Sequence, residues 1–164
     1  MASPNRAVKI GEKPRRKTAL PVSYEHDFSA WAFAQARALR ERQADALDWE
    51  NIAAEIESLG RSDRDSLRSR LTVILSHLLK LRYQPKNSIS WLVSITTQRA
   101  DVEDLLMKSP SLRRRLPEIL IGAYRTARKV ASLEMGLGKR ERDLIPDECP
   151  FTLEEILDDE LFPE

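Results

Sequence analysis

SDRDSLRSRLTVILSHLLKLR, residues 62–82, is the stretch that decides the fold. Its leucines and isoleucine recur every three or four residues, which is the period of an α-helix. On a helical wheel they cover an apolar arc of about 160°, wider than the stripe of an ordinary surface helix. They are Leu67, Leu71, Ile74, Leu75, Leu78, Leu79 and Leu81. The arc predicts a helix at the centre of a bundle, beginning at a capping box formed by Ser62 and Asp65.

The segment before this helix carries a shorter amphipathic pattern. Asp48 precedes WENIAAEIESL, residues 49–59, whose large apolar residues share one face. Gly60 follows, and glycine commonly ends helices. We therefore predict a separate helix over residues 49–59, joined by a turn to the helix of residues 62–82 as an antiparallel hairpin. Glu55 and Glu57 flank the apolar stripe of the first helix of this hairpin.

The remaining chain also follows the helical period and contains no alternating strand pattern or Asn-Gly hairpin signal. Helix starts are predicted at Asp27, at Ser88 or Ser90, at Ser109 before Pro110, and at Thr152 with Glu155. Pro117 interrupts or restarts one helix, which ends at Gly136 and Gly138. The sequence thus predicts an all-α protein, a single-domain antiparallel helical bundle of about five to six helices over residues 22–164. Its three tryptophans, Trp31, Trp49 and Trp91, are predicted to meet in the core.

Composition and charge narrow the class of protein further. The chain has 164 residues, a single cysteine, and no apolar run near the roughly 20 residues of a membrane helix. Residues 1–21 carry six basic groups and one acidic group, and we predict a flexible basic N-terminal arm. Residues 143–164 carry nine acidic groups and no basic one, an acidic tail. Since neither a secretory signal nor a disulfide framework is evident, we expect a cytoplasmic protein.

Six strings in this order resemble a known bacterial family. They are residues 24–31 (YEHDFSAW), 49–60 (WENIAAEIESLG), 77–80 (HLLK), 83–85 (YQP), 109–112 (SPSL) and 149–154 (CPFTLE). Together they look like the family catalogued as domain of unknown function 29, over about residues 22–164. Leu81 and Arg82 depart from its pattern, which is more apolar or aromatic there. The resemblance implies a helical bundle in a bacterial cytoplasm, and it implies no reaction, substrate or catalytic residue.

Four residues of the predicted hairpin form the first candidate binding set: Glu55, Glu57, His77 and Lys80. Carboxylates and a histidine on facing helices are how bundles build metal sites. The alternative is that Glu55 or Glu57 pairs with Arg70 or Lys80 across the hairpin and fixes its register. Because the paired Glu-x-x-His signature of di-metal bundles is absent, we assign no catalytic residue, metal or cofactor.

A second candidate set is basic: Arg113, Arg114 and Arg115, with Arg125, Arg128 and Lys129. These cations could face phosphates, a protein partner or the acidic tail of the same chain. The sequence favours a non-enzymatic helical interaction module, accessory or regulatory, with a protein partner or a second copy of the chain. The alternatives are nucleic-acid association through the arm and this basic set, which no motif supports, or a metal-dependent hydrolase at Glu55, Glu57 and His77.

Overall fold

The computed structural model describes residues 22–84, 88–138, 144–160 and 162, so the predicted basic arm lies outside the described residues. The prediction of an all-α protein is confirmed, since the described residues form helices and no strand. The α-helices are α1 (Phe28–Arg40), α2 (Trp49–Tyr83), α3 (Ile89–Lys108), α4 (Leu116–Glu134) and α5 (Leu153–Leu157). Two short 3₁₀ helices span Ala44–Ala46 and Pro110–Arg115.

The described residues group into two compact units, one that ends at residue 54 and one that begins at residue 55. A single domain over residues 22–164 therefore stays a prediction. In the first unit, Asp27 caps α1 as predicted, because its carboxylate accepts a hydrogen bond from the Ala30 amide at 2.9 Å. Trp31 is buried there, and its indole donates to the Asp48 carboxylate at 3.2 Å.

The predicted break at Gly60 is wrong, because α2 runs as one helix of 35 residues through it. Gly60 does not adopt the left-handed conformation that ends a helix, whereas Gly136, with φ of 68°, does so after α4 as predicted. A glycine costs an interior helix position only about 1 kcal/mol relative to alanine, and no proline reinforces it here. The predicted antiparallel hairpin of residues 49–59 and 62–82 therefore does not exist.

The apolar arc of residues 67–81 is buried as predicted and forms the centre of the second unit. Contacts between α2 and α3 pair residue 70 with 101 and residue 80 with 91, so these helices are antiparallel. Contacts between α2 and α4 pair residue 72 with 123 and residue 80 with 134, so these two are parallel. Small buried side chains, Ala123, Ala127 and Ala131, face α2 at four-residue spacing and permit close approach.

The apolar stripe of residues 49–59 is far more exposed to solvent than the apolar arc of residues 67–81. Trp49, Ile56 and Leu59 are 62%, 63% and 70% exposed. The prediction that Trp49 shares a core with the other tryptophans is wrong, while Trp91 is half-buried against the core of the second unit. Trp49, Ile56 and Leu59 of the predicted apolar stripe are therefore largely exposed, while Ile52 of the same stripe is half-buried.

The C-terminal segment is fixed by a capping box and an arginine. Thr152 and Glu155 form the predicted capping box at the start of α5, and Ile156 of this helix is fully buried. Arg99 of α3 donates to the backbone carbonyls of Ile156 and Glu155 at 2.9 and 2.8 Å. These bonds satisfy carbonyl groups that a five-residue helix cannot pair internally.

Candidate functional site

The structure does not bring the first candidate set together. Since α2 is continuous, Glu55 and Glu57 lie about 30 Å from His77 along one helix axis. Glu57 pairs with Arg61 one turn later at 3.2 Å, an exposed contact. The predicted pairing across a hairpin is therefore wrong for Glu57. Among the described residues, no three acidic, histidine or cysteine side chains are grouped as a metal site.

His77 and Lys80 do meet, in a cluster that the sequence did not predict. We call His77, Lys80, Trp91 and Glu134 the polar cluster. The buried ammonium of Lys80 lies 2.5 Å from a carboxylate oxygen of Glu134 and 4.6 Å from the centroid of the Trp91 ring. The His77 ring stacks on Trp91 with centroids 6.4 Å apart. These contacts join α2, α3 and α4 through one buried cation.

Histidine protonation is disfavoured in the polar cluster. Burial, and then the neighbouring charge of Lys80, hold the pKa of His77 below its ordinary value, while Glu134 acts in the opposite direction. His77 is therefore the neutral member of the cluster at neutral pH. Because Glu134 already balances the charge of Lys80, the role of the cluster is structural: its contacts connect α2, α3 and α4.

The basic candidate set is divided between two places in the second unit. Arg113, Arg114 and Arg115 are exposed on the 3₁₀ helix Pro110–Arg115, where Arg115 lies 3.5 Å from Glu118. Three consecutive residues of such a helix point in different directions, so they do not form one face. The other cations lie on α4.

A surface groove of about 1000 Å³ runs between α4 and the segment of residues 147–149. We call it the α4 groove. Its lining is partly apolar and partly charged: Leu120, Ile121, Tyr124, Arg125, Arg128, Lys129, Ser132 and Leu133 from α4, and Asp147, Glu148 and Cys149 opposite. Ile121 and Leu133 line it and are 64% and 68% exposed. The groove therefore offers apolar surface and cations together.

The cations of the α4 groove are not equivalent. Arg128 donates to the Ile145 carbonyl at 2.9 Å and to the Asp147 carboxylate at 2.5 Å, so it ties the opposite wall to α4. Arg128 of the basic set thus pairs with the acidic tail of the same chain, which is one of the alternatives that the sequence left open. Arg125 and Lys129 form no ion pair with the residues that the structure describes. They lie one helical turn apart on the rim of the groove.

The wall of the α4 groove is fixed by a buried tyrosine. The Tyr124 hydroxyl donates to the Pro146 carbonyl at 2.5 Å, and burial raises the pKa of Tyr124 to about 12. Burial also raises the pKa of the Cys149 thiol, whose sulfur lies 3.5 Å from the Phe151 carbonyl. Both groups therefore stay protonated at neutral pH, and Cys149 is not an activated nucleophile.

Sequence reasoning missed the α4 groove because its walls are separated by more than ten residues of chain. One sequence feature could have indicated it. Ile121, Arg125, Lys129 and Leu133 follow at regular four-residue spacing and so share one face, with cations between two apolar residues.

The fold and its groove define an all-α helical protein with an open, partly cationic surface groove. The family model described as "Domain of unknown function DUF29" matches residues 23–162, most of the chain, and the chain belongs to this family. The resemblance drawn from the sequence is thereby confirmed. Comparison with curated proteins and with solved structures gave no significant match. Within the described residues, no helix is both long and apolar enough to cross a bilayer.

Proposed function

We propose that the protein is a non-enzymatic helical interaction module, accessory or regulatory, that holds a protein partner in the α4 groove. The observation that carries the proposal is the exposure of Ile121 and Leu133 along a groove of about 1000 Å³. Large apolar side chains that line one concave surface mark binding sites more often than side chains scattered over a convex surface do.

The rigidity of the groove supports the same function. One wall is α4, whose inner face packs on α2, and the other wall is held by Arg128 and Tyr124 through three hydrogen bonds. A binding surface that is already ordered loses little conformational entropy when a partner binds. The polar cluster is not part of this surface, because its cation is buried and paired with Glu134.

A peptide-display selection tests the proposal, since it needs no identified partner. The probe is a random peptide library of about sixteen residues, long enough for four helical turns. It is selected on the wild-type protein, and the enriched peptides are then measured against Ile121→Asp and Leu133→Asp. We expect each substitution to weaken binding about tenfold or more, because a charge replaces apolar contact area.

Matched controls come from α3, where Val93 and Met107 are exposed to a similar degree and lie outside the groove. Val93→Asp and Met107→Asp should leave peptide binding unchanged, and circular dichroism should show all four variants folded. The proposal is wrong if no peptide is enriched, or if the α3 variants weaken binding as much as the α4 variants do. A bacterial cytoplasmic location also remains a prediction, which fractionation of the native cell would check.

A further inference from the structure

We infer that the occupant of the α4 groove is an acidic amphipathic segment of another protein, about three helical turns long, with carboxylates in its central turns and apolar residues at both ends. This inference rests on the proposed function, and it specifies the chemistry of the partner. It follows from the order of side chains along α4, from the charges left available there, and from the segments of this chain that do not fit.

The order of side chains along α4 sets the length and pattern of the occupant. Ile121 and Leu133 are twelve residues apart, which is about 18 Å along the helix axis. Arg125 and Lys129 lie between them at four-residue intervals. A helix packed along this face therefore meets apolar surface at each end and two cations in the middle, which complements apolar ends and an acidic centre.

The available charges favour carboxylates and orient the occupant. Arg128 is already bonded to Asp147, whereas Arg125 and Lys129 form no ion pair within the described part of the chain. Glu148 lies on the opposite wall and repels a second negative charge there. A helix with its carboxylates on a single face fits both walls of the groove. Its acidic face can turn toward Arg125 and Lys129 on α4 and away from Glu148.

A polyanion fits this surface less well than a peptide does. Arg125 and Lys129 supply two cations, whereas nucleic-acid binding usually neutralises several phosphates at once. Large apolar side chains at both ends also contribute nothing to a phosphate backbone. Arg113 and Arg114, which are exposed elsewhere on the second unit, do not line the groove and so do not extend it into a cationic track.

Segments of the chain itself are poor occupants. Residues 1–21 carry six basic groups and one acidic group, so their charge has the same sign as Arg125 and Lys129. The acidic helix α5 has a suitable charge, but its Ile156 is fully buried and its carbonyls are bonded to Arg99. A second copy would have to give up those contacts before its α5 could bind here. Neither residues 1–21 nor α5 of a second copy therefore matches the groove as well as an acidic segment of another protein does.

The peptide selection, repeated on the double variant Arg125→Glu/Lys129→Glu, tests the inference. On the wild-type protein, we expect enriched peptides with Asp or Glu in their central turns and apolar residues at both ends. The double variant should bind these peptides about tenfold or more weakly, since each lost contact is charge-assisted. It should in turn enrich peptides with central Lys or Arg. Arg113→Glu/Arg114→Glu is the matched control, and it should retain the wild-type preference.

The outcomes separate this inference from the proposed function. Peptides that depend on Ile121 and Leu133 but show no acidic preference, or no switch on the double variant, would overturn the acidic occupant while the interaction module stands. A short duplex oligonucleotide that binds with a steep salt dependence, and no longer binds to the double variant, would also overturn the acidic peptide as the occupant. An absence of any groove-dependent peptide contradicts the proposed function itself.

Discussion

The two parts of α2 have similar sequence patterns and opposite surroundings. Residues 49–60 and residues 67–81 both place large apolar side chains on one side of the helix, yet Ile56 is 63% exposed and Leu78 is 1% exposed. The second part is enclosed by α3 and α4, whereas Trp49, Ile56 and Leu59 of the first part are largely exposed in the described structure. Amphipathicity therefore identifies the apolar face of a helix without telling whether another element covers it.

The largest expected difference between the two parts of α2 is the loss of unfolding free energy when a leucine is truncated. Leu78→Ala should lower the free energy of unfolding by about 2–5 kcal/mol, because it removes buried contacts and leaves a cavity among α2, α3 and α4. Leu59→Ala is the matched control in the first part, and its cost should stay below about 0.5 kcal/mol because the side chain is 70% exposed. Urea denaturation of both variants measures the difference. Equal costs would show that residues 49–60 are covered in solution.

A smaller difference in stability is expected when one ion pair near each part of α2 is removed. Lys80→Ala should cost about 1–3 kcal/mol, because Lys80 is buried and loses both Glu134 and the face of Trp91. Arg61→Ala removes the exposed pair with Glu57 and should cost less than about 0.5 kcal/mol.

Thermal unfolding at low and high salt checks this comparison. Only the small cost of Arg61→Ala should shrink when salt is added, since an exposed pair is screened and a buried one is screened much less. A loss below about 0.5 kcal/mol for Lys80→Ala would remove the polar cluster as a brace of the bundle.

The smallest effect concerns the residue at which the two parts join. Gly60→Ala should stabilise the protein by about 0.5–1 kcal/mol, because alanine loses less backbone entropy in a helix. Nothing lies within 4 Å of the position that its Cβ would take. Gly136→Ala is the contrasting control, since the left-handed φ of 68° there penalises any Cβ. Calorimetry of both variants gives the sign, and destabilisation by Gly60→Ala would restore the turn that the sequence indicated.

Much of the fold was predictable because it depends on local rules. The caps at Asp27 and Thr152 and the end of α4 before Gly136 each depend on a few neighbouring residues, and all three predictions are confirmed. The prediction at Gly60 failed although the same residue type was involved. A glycine after an apolar stripe is compatible with both a stop and a continuous helix, and the penalty of about 1 kcal/mol is too small to decide between them.

The candidate site was less predictable, because contact between distant residues is not a local property. His77 and Lys80 were predicted as binding candidates, but their contacts are with Trp91 and Glu134 rather than with Glu55 and Glu57. This error follows from the prediction of a turn at Gly60. Because α2 is continuous there, Glu55 and Glu57 lie about 30 Å from His77 along the helix axis. The cations of α4 were identified from the sequence, whereas the wall opposite them was not.

The sequence by itself determined the helical class, the caps at Asp27 and Thr152, the family and the central role of residues 67–81, because periodicity and capping act within a few residues of chain. The tertiary structure alone decided which apolar faces are covered, which cations are paired, and where a groove opens. Arg125 and Arg128 illustrate the difference, since the position of Asp147 in space pairs Arg128, whereas Arg125 forms no ion pair with the residues that the structure describes. That position depends on the packing of the whole second unit, which no short stretch of sequence specifies.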